Sequence, residues 1–381
     1  MIIQVFNPLL STNDTIQNNK ICDISTASEF VYQKRFFDVG DFALTIPVGS
    51  RFAENLIKDR WLLVDYEHWV VIQDVDITLD STGGEYYITG TDLKGILNQR
   101  VTLHGDAQGA GTQGFDVVQG STETCIKHYL QNNIVTPTDN LRKVPGFVIA
   151  GDLGRGIEND TYMSRFEFLS DVTKKLCQNA GMGYGVKVNQ AESSVIFDVI
   201  VPRDLTEAQS DNNRVVFAVE RGNVTRLTRS FGASNYRNAF YTTVSGGTLT
   251  ADALTQLVYR EEETPSSGWE RREMQLNVSI TEAVAGQQIQ DMINLGRKEA
   301  ANYSATDSYE CVIKNRSRLS LDYDLGDYVT VKDPLLGQID KQILEATIRY
   351  GGNGPELVLA MGDRRKKVVQ VLNQKIENRG V

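Results

Sequence analysis

Gly151-Asp152-Leu153-Gly154-Arg155-Gly156 follows the apolar run Phe147-Val148-Ile149-Ala150. A strand feeding a glycine-rich loop is the setting in which backbone amides cradle a pyrophosphate. The spacing here is GxxGxG rather than GxGxxG, and Ile157-Glu158-Asn159-Asp160 does not open an apolar-periodic helix whose N-terminus would hold a phosphate. The segment reads as a structural loop. Gly90-Thr91-Asp92-Leu93-Lys94-Gly95 has the glycine spacing of a P-loop, but Ile96 and Leu97 stand where Lys and Ser or Thr are required. Without that lysine nothing reaches the terminal phosphates. Cys125 and His128 lie at i, i+3 on an expected helix, yet zinc needs three or four ligands, and the only other histidines are His68 and His104. A half-buried thiol beside a surface imidazole is the better reading. Asp322-Tyr323-Asp324-Leu325-Gly326-Asp327 resembles a calcium loop, but its glycine is one place early and position twelve is Asp333 instead of a bidentate Glu. Gly326 and Asp327 are therefore expected to form a strand-entry turn, with the carboxylate bonding nearby amides. No GxSxG elbow and no HExxH occurs, and nothing singles out one carboxylate pair among the many. The expectation is a non-enzymatic chain with no catalytic, cofactor-binding or metal-ligating residues and no cofactor.

The elements that would position these residues are mostly strands. Asp41–Ile46 alternates, placing Phe42, Leu44 and Ile46 on one face. Trp61–Tyr66 and Trp69–Gln73 flank the polar pair Glu67-His68 as a hairpin, and Asp74–Leu79 returns through the Ser81–Gly84 turn into Glu85–Gly90. A short helix is expected at Thr91–Gln99. Residues 104–121 are rich in Gly and Gln and mark a boundary or long loop. Helices are expected at Thr122–Asn133 and over 165–180, the second ending before Gly181, and a hairpin at Tyr184–Val188 and Val195–Val201. Strand pattern resumes over 214–219, 223–231 and 238–244. The Gly246-Gly247 pair and Pro265–Gly268 mark loops. A helix over Ala285–Tyr303 carries the stripe Ile289, Met292, Ile293, Gly296 and Ala300. Strands follow at Tyr309–Ile313, Tyr328–Val331, Gln342–Tyr350 and Glu356–Ala360. A last helix spans Arg364–Arg379 behind the basic Arg364–Lys367 start.

The chain has 381 residues, enough for two to four domains without disulfides or metals. At 41% hydrophobic and 23% charged residues it reads as a folded soluble protein, and no apolar run approaches the ~20 residues of a membrane helix. The N-terminus lacks the basic region of a secretory signal, and the four scattered cysteines read as free thiols in a reducing compartment. The 49 acidic residues against 39 basic ones give a net charge of -10. Duplex affinity comes mostly from Lys and Arg on phosphates, so this balance makes the chain a poor candidate for a tight DNA binder and suits a conduit better.

Two stretches go beyond generic strand pattern. One runs Trp69–Ile77, the Gly83-Gly84 turn, then Tyr87-Ile88-Thr89-Gly90-Thr91-Asp92-Leu93-Lys94-Gly95-Ile96-Leu97-Asn98-Gln99-Arg100. The other is Leu325-Gly326-Asp327-Tyr328-Val329-Thr330-Val331, followed by Ile343–Ile348. Together, and in the order of elements around them, they resemble the hub proteins of bacteriophage tail tips and baseplates, including the N-terminal part of siphophage tail-associated proteins. The resemblance covers nearly the whole chain. It implies an α+β, mainly antiparallel β fold with two small β-barrels and an α+β lobe. It also implies a homotrimeric ring that matches the hexameric distal tail protein, contacts other tail-tip proteins and surrounds the channel through which DNA passes, at the virion tail tip after assembly in the host cytoplasm. Many relatives continue into a cell-wall hydrolase or receptor-binding extension after the second barrel, whereas this sequence ends soon after it, so no lytic role is implied.

The expected division is a first barrel over 1–115, lobe segments over 116–212 and 241–306, a second barrel from 213–240 and 307–363, and a C-terminal helix over 364–381. The channel face is expected to be acidic or neutral, with Arg364–Lys367 away from the narrowest point and against an acidic partner or the neighbouring subunit. The alternative is a receptor- or carbohydrate-binding tail protein using Trp61, Trp69, Trp269 or Tyr86 as stacking platforms, or less favourably a cell-wall hydrolase. Those alternating aromatics are better read as core.

Overall fold

The protein is described here by a computed structural model that covers residues 1–103 except 12 and 82, then 114–244, 255–259, 266–278, 292–294, 296–297, 300, 303–314, 319–335, 337–351 and 354–362. His104, Gly246-Gly247, Glu261–Glu263, most of the Ala285–Tyr303 helix and the whole of Arg364–Arg379 lie outside the described residues. The chain divides into two compact units, one of Met1–Leu227 with Glu310–Met361, the other of Thr228–Tyr309 with Gly362–Val381.

The first unit opens with β1 (Ile3–Phe6), β2 (Lys20–Ile24), β3 (Glu29–Arg35), β4 (Asp41–Pro47), β5 (Trp61–Val64), β6 (His68–Asp80) and β7 (Gly83–Asp92). A 3-10 helix, Leu93–Gln99, follows, capped by the Asp92 side chain accepting from the Lys94 amide. Next come β8 (Asp116–Gly120), α1 (Thr122–Leu130), β9 (Phe147–Ile149), β10 (Asp160–Ser164), α2 (Leu169–Asn179), β11 (Gly183–Asn189), β12 (Ser194–Ile200), β13 (Val216–Phe217) and β14 (Val224–Gly232), which runs across the boundary between the units. The second unit holds β15 (Ala239–Val244), β16 (Thr255–Tyr259) and β17 (Glu273–Val278). The chain returns through β18 (Thr306–Ile313) to β19 (Tyr328–Asp333), β20 (Gly337–Tyr350) and β21 (Glu356–Gly362).

The fold is mainly antiparallel β. A thirteen-stranded sheet runs β14-β18-β21-β20-β3-β4-β7-β6-β5-β1-β2, with β19 and β13 branching from β20. Two separate barrels were expected. The strand path instead has two ends and closes no barrel among the described strands. The reason is visible in β3, which pairs antiparallel with β20 along Glu345↔Arg35 to Tyr350↔Phe30 and so fuses the N-terminal strands to the C-terminal ones. Alternation sets the two faces. Phe30, Tyr32, Phe42, Leu44, Ile46, Ile88, Ile348, Tyr350 and Leu357 are buried on one side, and polar residues occupy the other.

α1 and α2 pack against each other and against the three-stranded sheet β11-β12-β9. Their core includes Cys125, Ile126, Tyr129, Leu130, Leu169, Val172, Leu176, Cys177 and Phe197. Ser121 caps α1, a π-helical turn over Gln131–Val135 extends it, and Gly181 past α2 takes φ 64°, the left-handed conformation that ends helices. In the second unit β15 pairs antiparallel with β16 and parallel with β17. Phe240, Val258, Leu276, Ala300 and Tyr303 form its core. Met292, Gly296 and Ala300 are helical and buried, three positions of the expected stripe.

Candidate functional site

The motif candidates resolve into structural parts. In the loop after β9, Lys127 Nζ donates to the Gly151 carbonyl at 2.8 Å and Arg155 N donates to Glu123 at 2.9 Å. The first amides of α1 are already taken: Thr122 N donates to the Ile157 carbonyl, Glu123 N to the Arg155 carbonyl and Thr124 N to Ser121 Oγ. The glycine-rich loop thus covers the very helix end that a phosphate would need.

Beneath it sits an ion cluster built on a buried carboxylate and open to water at Asp198. The Glu123 side chain is fully buried, 2.7 Å from Arg155 and 2.5 Å from Lys127, and Asp198 lies 2.6 Å from Arg155 and 3.0 Å from Lys127. Burial raises the Glu123 pKa, but the hydrogen bonds from Arg155 and Lys127 outweigh it and hold the carboxyl down to about 2. Four charges of alternating sign, each partnered on two sides, make a lock rather than a reactive group.

Asp92 and Lys94, from the P-loop-like stretch, form a second buried pair. The Asp92 carboxylate accepts from Gly40 N and Tyr32 Oη. The Lys94 ammonium donates to the Arg35 and Asp38 carbonyls and lies over the Tyr184 ring at 5.0 Å. Burial pushes the Asp92 pKa up and the Lys94 pKa down. Both ends are spent on holding the β3–β4 turn.

Cys125 is fully buried, while His128 Nε2 sits 2.8 Å from Asp116 and 3.1 Å from Asn132; the structure does not bring Cys125 and His128 to one ligand. All four cysteines are free thiols, and burial pushes Cys177 and Cys311 up to about 12. Gly326 and Asp327 form the turn entering β19. Asp327 accepts from the Asp324 amide at 2.8 Å and from the Arg203 amide and guanidinium. Gly326 has φ 93°, and a Cβ there would lie 2.3 Å from the Phe36 ring; one at Gly183 would lie 2.2 Å from the same ring. No group of three or more His, Cys, Asp or Glu suited to a metal occurs among the described residues.

Of the aromatic candidates, Trp61 and Trp69 meet edge to face at 6.3 Å, and Trp69 packs on Phe6 at 5.0 Å. Tyr86 is half-buried and Trp269 is fully exposed.

The surface feature that sequence reading did not locate is the outer face of the large sheet. Cross-strand rows run Asp74–Thr89–Ala43–Val31–Arg349–Glu356 and Asp76–Tyr87–Thr45–Glu29. A third pairs Asp41 with Gln33, a fourth pairs Arg35 with Glu345, and Glu85 lies opposite Thr78. Glu29, Asp41, Asp74, Asp76, Glu85, Glu345 and Glu356 thus face one way with two cations, Arg35 and Arg349. Both cations are occupied: Arg35 pairs with Asp41 and lies 3.8 Å from Glu345, and Arg349 lies 3.6 Å from Glu29 and 3.8 Å from Glu356. Asp74, Asp76 and Glu85 form no ion pair among the described residues. The signal was present as alternation for Glu29, Asp41, Glu345 and Glu356, each one place from a core residue. Only the pairing of β3 with β20 puts the acids of the two chain ends on one surface.

The family profile described as Siphovirus ReqiPepy6 Gp37-like protein matches residues 6–363. No curated protein matches this chain. Among solved structures, the chain is similar to the 43 kDa tail protein of prophage MuSo2 from Shewanella oneidensis, with TM-score 0.56 and 12% identity over 95% of this chain and 98% of that one. It is also similar to prophage tail protein gp18 from Listeria monocytogenes EGD-e, with TM-score 0.50 and 14% identity over 99% of each chain. The Francisella PdpA-VgrG complex holds a similar chain, with TM-score 0.54 and 10% identity over 96% of this chain and 54% of that one. At these identities the likeness is one of fold.

Proposed function

The chain belongs to this siphophage tail-protein family, and on that premise we propose that it is the structural hub of the tail tip, a trimeric ring that joins the hexameric distal tail protein to the tip and surrounds the DNA channel. Each chain would contribute two groups of strands of its large sheet, one from residues 1–115 and one from 213–240 with 307–363, and three chains would present six of them to the hexameric ring above. The ring belongs to the virion tail tip, is assembled in the host cytoplasm and has no catalytic role.

The observation that carries this reading is the carboxylate-rich outer face formed by β3, β4, β6, β7, β20 and β21, which among the described residues carries seven acids and two arginines, both already paired. Such a face turned to the bore keeps a sliding duplex from sticking, because each free Lys or Arg on phosphate would add affinity through counterion release. Repulsion fades beyond ~8 Å at physiological salt, a distance DNA in a close-fitting bore does not exceed. The fully exposed Trp269 favours the second reading, receptor or cell-wall carbohydrate binding. Light scattering on the purified protein alone and mixed with the distal tail protein separates the two. A trimer without glycan affinity supports the hub, and a monomer that binds cell-wall sugars supports the alternative.

A further inference from the structure

We infer that copies of this chain join head to tail by pairing the open edge of β6 in one copy with the open edge of β14 in the next. The inference rests on the ring reading above and names the surface that builds the ring. β5 covers β6 only from His68 to Val71, and the backbone of Asp59 and Arg60 covers Ile72. From Asp74 to Asp80, β6 is bonded to β7 alone among the described residues. One side of this stretch carries Val75, Ile77 and Leu79, with Ile77 55% and Leu79 70% exposed. An unpaired edge with uncovered apolar side chains is a feature that folded proteins avoid unless another chain covers it. The other side carries Asp74 and Asp76, which have no cation among the described residues.

The complementary feature lies at one end of the same sheet. Among the described residues β14 bonds only to β18, so its other edge is open there. In the part of β14 inside the first unit, 224–227, Thr225 and Arg226 are exposed, and Arg226 has no ion pair among the described residues. One chain thus holds an edge with unanswered carboxylates and an edge with an unanswered guanidinium. In a chain with ten more acids than bases, a free arginine on an open strand is a scarce partner for that edge. Because the two surfaces differ, the contact is heterologous, and a heterologous contact repeats until rotation closes it into a ring.

The test is light scattering at micromolar concentration, with circular dichroism to show that each exposed-site variant is folded. Arg226→Glu, and separately Asp74→Lys with Asp76→Lys, should each weaken association at least tenfold. All three substitutions together should restore it. A wild-type oligomer left intact by every variant, or triple substitution without rescue, overturns the edge pairing while leaving the ring. A wild type that stays monomeric, alone and with the distal tail protein, overturns the edge pairing and the ring reading with it.

Discussion

Phe36 shows how single residues fix this molecule. Its ring fills the space that side chains would need at Gly183 and at Gly326, and its amide donates to the Leu344 carbonyl. One residue therefore ties the β3–β4 turn to β11 and to the turn before β19 through its ring, and to β20 through its amide. Gly326→Ala is expected to cost about 2–4 kcal/mol, combining overpacking with a side chain at positive φ, and Gly183→Ala about 1–3 kcal/mol from overpacking alone. Denaturant titration checks both, and Phe36→Ala combined with either should cost less than the sum, since the clash is removed. The Glu123 cluster makes a pH statement. A carboxyl held at about 2 against an ordinary 4.5 stabilises the fold at neutral pH, and that stabilisation is lost as pH falls from about 5 toward 2. Glu123→Gln should therefore lower stability at pH 7, by an amount on the order of 2 kcal/mol after allowance for the water that reaches Arg155 and Asp198, and should flatten the acid limb of stability against pH. An unchanged acid limb would show that the lock contributes nothing.

At the scale of elements, the tryptophans offer a contrast. Trp69→Ala removes a ring packed on Phe6 and Trp61 and should cost about 3 kcal/mol. Trp269→Ala, at a fully exposed position, should stay within about 0.5 kcal/mol. Denaturation midpoints of the two variants report the difference, and equal costs would contradict the packing described. What was legible in the sequence follows the same physics. Asp41–Ile46, Tyr184–Val188 and Gln342–Tyr350 lie within strands, α1 starts at Thr122 as expected, and Gly181 follows the end of α2 in the left-handed conformation expected of it. β1 and β2 were not legible because four or five residues without alternation carry no period, and β3 mixes Glu29 and Lys34 into an aromatic run. The parallel pairings β12–β9, β13–β19 and β15–β17 join segments from 2 to 7 residues long that no local signal connects. The turn at Gly326 and Asp327 was legible because glycine beside an acid before a strand has one economical use; its dependence on Phe36 was not, since that contact spans the chain.

At the scale of the whole molecule, the proposed conduit rests on the acidic face. The protein should leave duplex DNA unshifted in an electrophoretic assay at physiological salt. Replacing Glu29, Glu85 and Glu356 by lysine should produce salt-sensitive binding, because three new cations per copy would stand on one face and Arg349 would lose both of its partners. A tight shift with the unmodified protein would contradict the charge argument. No helix among the described residues is long and apolar enough to cross a membrane. The most direct measurement is electron cryo-microscopy of the assembled tail tip. The account predicts a threefold ring of this chain below the distal tail protein, with Glu29, Asp41, Asp74, Asp76 and Glu345 of every copy lining the bore. A bore ringed by Lys and Arg, or this chain found off the tail axis, would contradict it.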